Sequence, residues 1–221
     1  MYTYEEIAAM IDHSLLKPQL TDKEVEEGCI IADKYGVASV CVRPSDVILA
    51  NGILKNSKVL VTTVIGFPHG SSTAEIKLNE AVEAIKNGAV ELDVVLNIGK
   101  LKSGNDEYIR SEIELLTNHA HAENVKVKVI FENCYLDERE IIKACEICNR
   151  AAVDWAKTST GYGTGGAEEK DVQLMRKHCN PQIQIKAAGG VRTLEKVIRM
   201  KELGCTRIGA TATIDILSSL M

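Results

Sequence analysis

Hydrophobic positions along the chain follow two alternating rhythms. Short runs rich in Val, Ile and Ala stand at 7–12 (IAAMID), 37–42 (VASVCV), 58–65 (KVLVTTVI), 89–96 (AVELDVVL), 125–131 (VKVKVIF), 152–157 (AVDWAK), 183–187 (IQIKA) and 206–209 (TRIG). Runs of this length and composition predict strands. Between them, apolar residues recur every three to four positions at 22–35, 45–54, 73–87, 106–123, 137–149, 167–178, 193–202 and 213–220. That spacing predicts helices with one buried face. Thr21, Ser45, Ser72, Asp137 and Thr193 stand where helices begin, as side chains that can accept from the first free amides. Gly36, Gly88 and Gly204 stand where helices end.

Eight strand–helix units, spaced by roughly 25–30 residues, predict an α/β fold of the (β/α)8 TIM-barrel type, with one domain covering 1–221. An open, doubly wound sheet is the competing arrangement. No linker, low-complexity segment or internal repeat interrupts the pattern. The Gly-rich segment 161–166 follows a strand directly and reads as a functional loop.

Composition narrows the partners. Hydrophobic residues make up 45%, enough for a sizeable core. The formal charge is −5 and no basic stripe occurs, which argues against nucleic acid. An anionic ligand must therefore be held by local features. The seven cysteines are odd in number, the start MYTYEEIAAMIDHS lacks a basic region followed by an apolar run, and no stretch reaches membrane-spanning length. A reduced, cytoplasmic protein with no membrane partner is the expectation. Cys145 and Cys148 form a C-x-x-C inside a predicted helix with no second pair, so they are assigned to helix packing. His119 and His121 are two apart and do not share a helix face. No metal and no cofactor are expected. A homodimer or homotetramer is compatible with the sequence, which leaves the assembly open.

The informative anomaly is charge inside the strands. Asp12, Asp93, Lys128, Lys157 and Lys186 fall in or at the ends of segments that should be buried on both faces. Burying a charge is costly unless it is paired. Three lysines and two aspartates can largely neutralise one another if they converge at the C-terminal ends of the strands, where barrels place their sites. In VKVKVIF the alternation sends Val127, Val129 and Phe131 to one face and Lys128 to the other, and IQIKA gives Lys186 the same phase. Two neighbouring lysines in a dry pocket each disfavour the charged state of the other. A pKa lower by about three, equivalent to about 4 kcal/mol, would leave a useful fraction of free amine at neutral pH. Such an amine attacks carbonyls, and the aspartates can move protons. Lys157 is the candidate nucleophile. Cys41 ends a strand and is expected to line the site as a bystander thiol.

The turns at 158–161, 188–191 and 209–212 follow the last three strands and carry Gly161, Gly189, Gly190 and Gly209, with Thr211 beside them. Glycines let backbone amides approach an anion, and these are the usual barrel positions for phosphate. Gly161, Gly163 and Gly166 also match G-x-G-x-x-G, but Lys157 and three hydroxyl residues precede the first glycine and no ribose-binding acid follows the next strand. Glu132 either faces the site or holds a loop, and His69 is similarly open. Four functions fit these residues: a lysine-dependent aldol enzyme, a phosphate-binding isomerase or epimerase using Asp93 as base, a sugar-phosphate sensor, and a nicotinamide-dependent reductase.

Eight ordered stretches resemble the deoxyribose-phosphate aldolase family along nearly the whole chain. They are IDHSLLKP (11–18), VCVRP (40–44), TVIGFPHG (63–70), ELDVVLNIG (91–99), VKVIFENCYL (127–136), KTSTGYG (157–163), IKAAGGVRT (185–193) and TRIGAT (206–211). The resemblance implies a metal-free class I aldolase on a (β/α)8 barrel, which cleaves 2-deoxy-D-ribose 5-phosphate reversibly. By motif, Lys157 corresponds to the Schiff-base lysine, Lys186 to the lysine that perturbs it and Asp93 to the proton-transfer aspartate. Asp12 and Lys128 correspond to further polar site residues that bind substrate hydroxyls or organise water, and Gly161, Gly189, Gly190 and Gly209 fall on the phosphate loops; Cys41 is placed on the substrate side and Thr211 on the phosphate side by position. The chain departs from the family where a Ser-Ser pair is common. Thr211 and Ala212 stand there, and Ala212 offers only its backbone.

Overall fold

Eight parallel strands close into a barrel in sequence order in the computed structural model, which describes residues 2–220. In chain order the elements are α1 (Tyr4–Ala8), β1 (Ile11–Leu15), α2 (Asp22–Tyr35), β2 (Ser39–Val42), α3 (Val47–Ile53), β3 (Leu60–Ile65), α4 (Ala74–Lys86), β4 (Glu91–Val95), α5 (Ile98–Lys102), α6 (Asp106–Ala122), β5 (Lys126–Ile130), α7 (Glu138–Ala151), β6 (Trp155–Lys157), α8 (Glu169–His178), β7 (Gln184–Ala188), α9 (Leu194–Glu202), β8 (Cys205–Ala210) and α10 (Thr213–Ser218). β1 pairs with β8, so the open doubly wound sheet does not form. The domain expected over 1–221 extends at Met1 and Met221 outside the described residues. No helix among the described residues is long and apolar enough to cross a membrane.

Local chemistry explains most element boundaries. Thr21 and Asp137 each accept from the third amide of their helix, and Glu24 and Glu140 reach back to the cap amide. Gly36 closes α2 in the left-handed conformation. Three expectations need correction. The apolar run at 7–12 is not one strand: Thr3 and Glu6 form a capping box that starts α1, and β1 begins only at Ile11. A short apolar run does not by itself separate strand from helix. Ser45 lies in a 3-10 turn (Pro44–Asp46), and α3 after it has no side-chain cap. Thr73, rather than Ser72, caps α4.

The molecule has two interiors. Outward-facing strand residues, among them Ile11, Val40, Leu92, Val127, Ile185 and Ile208, pack against the helices as one continuous apolar ring. Inward-facing residues form stacked layers of four from alternate strands, the arrangement expected of a barrel of this size. Strand alternation and register give three successive layers: Ser39, Glu91, Trp155 and Arg207, then above them Asp12, Thr62, Lys128 and Lys186, then Cys41, Asp93, Lys157 and Gly209. Where barrels usually stack Val, Ile and Leu, this one stacks charges.

A second buried ion pair lies outside the barrel. Lys77 of α4 donates to the Val95 carbonyl and to Glu112 of α6, each at 2.8 Å, with both side chains fully buried. Gly66, at φ +64°, leaves room for the lysine, because an added Cβ would sit 2.7 Å from its Cε. Breaking such a pair on one side strands a buried charge. Glu112→Ala should therefore cost about 3 kcal/mol in urea unfolding at neutral pH, and Lys77→Met combined with Glu112→Leu should recover most of it. A loss below about 1 kcal/mol for the single variant would mean that Lys77 escapes to water.

Candidate active site

Lys157 is the last residue of β6, a strand of only three residues in which Trp155 and Lys157 point inward and Ala156 joins the apolar ring. Its amine therefore emerges where the barrel lumen meets its open C-terminal end. Lys157 Nζ donates to Asp93 Oδ2 at 2.6 Å, and Lys186 Nζ donates to the same oxygen at 2.7 Å. Lys186 also reaches Asp12 Oδ2 at 2.5 Å. Lys128 donates to Asp93 Oδ1 at 2.8 Å and pairs with Glu91 at 2.5 Å. Arg207 bridges Asp12 Oδ1 at 2.6 Å and Glu91 at 3.0 Å. The five strand charges singled out in the sequence thus converge. Asp12, Asp93, Lys128 and Lys186 sit within their strands rather than at the C-terminal ends, so the lattice runs down the lumen instead of lying across its mouth.

The lattice is unbalanced by one charge. Four cations, Lys128, Lys157, Lys186 and Arg207, meet three carboxylates, Asp12, Glu91 and Asp93. Neutralising one lysine balances it. Burial opposes ionisation of Asp93, but Lys128, Lys157 and Lys186 outweigh it and hold the carboxyl well below its ordinary range. Asp12 is held low in the same way by Lys186, Lys128 and Arg207. Burial would also lower Lys186 and Lys128, but the carboxylates around them keep both ammonium groups above the ordinary lysine value. Lys157 goes the other way. Burial lowers its pKa, Lys186 lowers it further, and Asp93 only partly opposes them. Lys157 is the amine that can give up its proton. As a free amine it still donates to Asp93 and keeps a lone pair for a carbonyl carbon.

Above Lys157 opens a cavity of about 340 Å³. Gly161, Gly189, Gly190, Gly209 and Thr211 all line it together with Lys157, so the residues read as phosphate loops and the reactive lysine share one chamber. Gly189 and Gly190 have φ +82° and +72°, a turn that residues with side chains adopt only under strain. Gly209 lies inside β8 rather than in the turn after it. An added Cβ there would come within 2.9 Å of the Ala188 Cβ, so the glycine lets β7 and β8 pack closely beside Lys186. Gly161, Gly163 and Gly166 do not form a strand–helix dinucleotide turn, because α8 starts only at Glu169.

Of the expected catalytic and substrate-side residues only Lys157 lines the cavity; Asp93, Lys186, Asp12, Lys128 and Cys41 are absent from the lining and essentially fully buried. Burial pushes the Cys41 thiol up to about 11, and Asp93 pushes the same way, so it stays protonated. Cys145 and Cys148 are buried on the inner face of α7, in keeping with helix packing.

Sequence reading passed over Glu91 and Arg207, which complete the lattice, and Lys17 and Arg192, the cations on the cavity wall. Glu91 was detectable, since it precedes Asp93 by two positions and so shares its face. Arg192 directly follows the Gly-Gly turn and Val191. Lys17 reaches the chamber from a loop distant in sequence and carried no such signal.

The family described as DeoC/LacD family aldolase matches residues 7–217. The chain is 47% identical over 216 residues to a deoxyribose-phosphate aldolase of Rhodopirellula baltica, covering 98% of this chain and 90% of the relative. It is 50% identical over 211 residues to a deoxyribose-phosphate aldolase of a Thermoanaerobacter species, covering 95% of each. Among solved structures, one described as QR15, an aldolase, superposes with a TM-score of 0.92 at 40% identity, over 97% of this chain and 95% of its own. A deoxyribose phosphate aldolase from Aeropyrum pernix, described as a unique tetramer, superposes with a TM-score of 0.92 at 30% identity, over 98% and 92%.

Lys186→Met removes a cation that favours the neutral form of Lys157, while Asp93 remains beside it. The pKa of Lys157 should therefore rise, and a rise of about one would cut the free-amine fraction at neutral pH about tenfold. Borohydride-coupled alkylation of Lys157 by a small aldehyde, followed by mass spectrometry across pH, should show the profile displaced to higher pH. An undisplaced profile would remove Lys186 from the tuning of Lys157.

Proposed function

Because this chain belongs to the DeoC/LacD family of aldolases, we propose that it cleaves 2-deoxy-D-ribose 5-phosphate reversibly to D-glyceraldehyde 3-phosphate and acetaldehyde, through a Schiff base on Lys157. One observation carries the reading: the lattice lysine that lines the cavity is also the one whose burial and neighbours favour a free amine.

The steps are those of a lysine Schiff base acting on this sugar. The Lys157 amine attacks carbon one of the open-chain aldehyde and gives a carbinolamine. Loss of water gives an iminium, which draws electrons from the bond between carbons two and three. Removal of the proton from the carbon-three hydroxyl breaks that bond. Glyceraldehyde 3-phosphate leaves, and the electron pair remains as a two-carbon enamine. Protonation at carbon two and hydrolysis of the imine release acetaldehyde and restore Lys157. We assign proton movement at the lysine nitrogen to Asp93, which touches both Lys157 and Lys186, with Lys186 as the protonated reserve behind it. Asp12, Glu91, Lys128 and Arg207 hold that pair in place from below. The phosphate end is assigned to the chamber wall of Gly161, Gly189, Gly190 and Thr211, with Lys17 and Arg192 supplying positive charge. This arrangement answers the net repulsion expected between an anionic substrate and a chain of charge −5.

Incubation with deoxyribose 5-phosphate and borohydride should leave a reduced two-carbon adduct on the Lys157 peptide. Lys157→Ala should abolish both adduct and turnover, a loss of at least about 10³-fold for removing the covalent nucleophile. Turnover retained by Lys157→Ala would favour a barrel isomerase or epimerase with Asp93 as base. We extend the proposal to assembly as a homodimer or homotetramer, since the Aeropyrum pernix relative is described as tetrameric. Sedimentation should accordingly give a mass above that of one chain, and a monomer under assay conditions would reject this.

A further inference from the structure

Glu132 follows β5 and is buried, yet it neither joins the lumen lattice nor lines the cavity. It is one of few non-glycine residues with positive φ, at φ 58° and ψ 60°. Holding a side-chain-bearing residue there costs of order 1 kcal/mol, so the surrounding contacts must compensate. They do so at one point. The Glu132 carboxylate accepts from the Thr160 amide at 3.1 Å with one oxygen and from the Thr160 hydroxyl with the other. The next residue adds a backbone tie to the same loop: the Asn133 amide donates to the Thr158 carbonyl at 3.0 Å.

The connection continues across the mouth of the barrel. Thr160 Oγ1 accepts from the Tyr162 amide at 2.9 Å. The Tyr162 hydroxyl donates to the Leu16 carbonyl at 2.8 Å, joining the loop after β6 to the loop after β1. The Tyr162 ring stands edge-on to Phe67, with centroids 5.3 Å apart at 84°. Close packing seals the arrangement. A Cβ added at Gly163 would fall 2.7 Å from Cys134 Sγ and 3.0 Å from Glu132 Cδ. Thr160, Gly161 and Tyr162 contribute to the cavity wall, as does Leu16 from the loop after β1.

We propose that Glu132 is the positioning residue for the phosphate end of the cavity, acting through Thr160 to hold the 158–163 loop and, through Tyr162, to fix the width of the mouth. The proposal rests on the cavity reading given above. The Glu132 carboxylate is turned to the donors of the loop and does not line the cavity, so the residue orders the wall without facing the anion. The bonds are charge-assisted and shielded from water, where such bonds are strongest.

The test separates positioning from general stability and from the aldolase reading. In Glu132→Ala, KM for deoxyribose 5-phosphate should rise about tenfold and the dissociation constant for inorganic phosphate should weaken by a similar factor, in line with the loss of buried charge-assisted bonds. The rise in KM for unphosphorylated deoxyribose should be much smaller, and borohydride trapping at saturating substrate should proceed at the rate of the parent. Glu132→Gln, which keeps one acceptor, should fall between. Thr160→Val should reproduce the Glu132→Ala pattern, and Thr160→Ser should restore the parent's behaviour, which keeps the test informative if Glu132→Ala folds poorly. Equal losses on both substrates, or phosphate affinity unchanged in Glu132→Ala and Thr160→Val, would overturn the proposal. Weakened phosphate binding in a protein that forms no Lys157 adduct would instead leave this proposal standing and reject the Schiff-base reading.

Discussion

The structure depends on one carboxylate. Asp93 sits at the centre of the barrel and accepts from Lys128, Lys157 and Lys186 within 2.8 Å. Each of those lysines, almost wholly buried, would be costly alone. Gathered around Asp93, with Asp12 and Glu91 offsetting two more of the four positive charges, they become tolerable and rigid. The excess of one cation is then a chemical resource. The lattice is electrically balanced only when one lysine is neutral, and the lysine closest to the open end is the one whose surroundings favour that state.

This arrangement separates the tasks of folding and chemistry in space. Stability comes from the apolar ring between strands and helices, which is continuous from Ile7 to Leu217 and contains no lattice residue. The lumen contributes little of that apolar burial and instead carries charges in fixed registers. A parallel barrel suits the division, because alternate residues of every strand belong to one interior or the other. Trp155 stands low in the lumen, with Arg207, Lys126 and Lys128 over its ring at 4.9, 5.3 and 5.6 Å. These cations lie against an aromatic face, which attracts positive charge.

The upper wall is built by a different device. The loops after β6 and β7 interlock closely. Thr158 exchanges hydrogen bonds with the Ala188 backbone, and Gly166 lies so near Gly189 that a Cβ would fall 2.2 Å from its carbonyl oxygen. Gly189 is therefore also a packing requirement and Gly209 makes room for Ala188, whereas Gly161 and Gly190 have space for a side chain around them. Preorganisation of this kind removes the cost of ordering loops when substrate arrives.

Much of this was legible in the sequence, for a definite reason. A strand period of two assigns each residue to a face, so lysines and aspartates interrupting apolar runs announce a charged lumen. The barrel itself followed from eight repeats of one alternation, and the family match from motifs placed on those same strands. The misread segment 7–12 had a helix-start signal, Thr3 with Glu6, outweighed by its apolar run. What periodicity does not specify is distance between elements far apart in the chain. Which carboxylate each lysine touches, which amine is left with the weaker hold on its proton, and that Asp12, Lys128 and Cys41 stay out of the cavity lining are consequences of register around a closed ring. So is the reach of Tyr162 to Leu16, a contact between residues 146 apart in the chain. Local sequence determined the faces and the chemistry available. Barrel closure decided the pairings, because only there do eight separate strands bring their inward charges to a common axis.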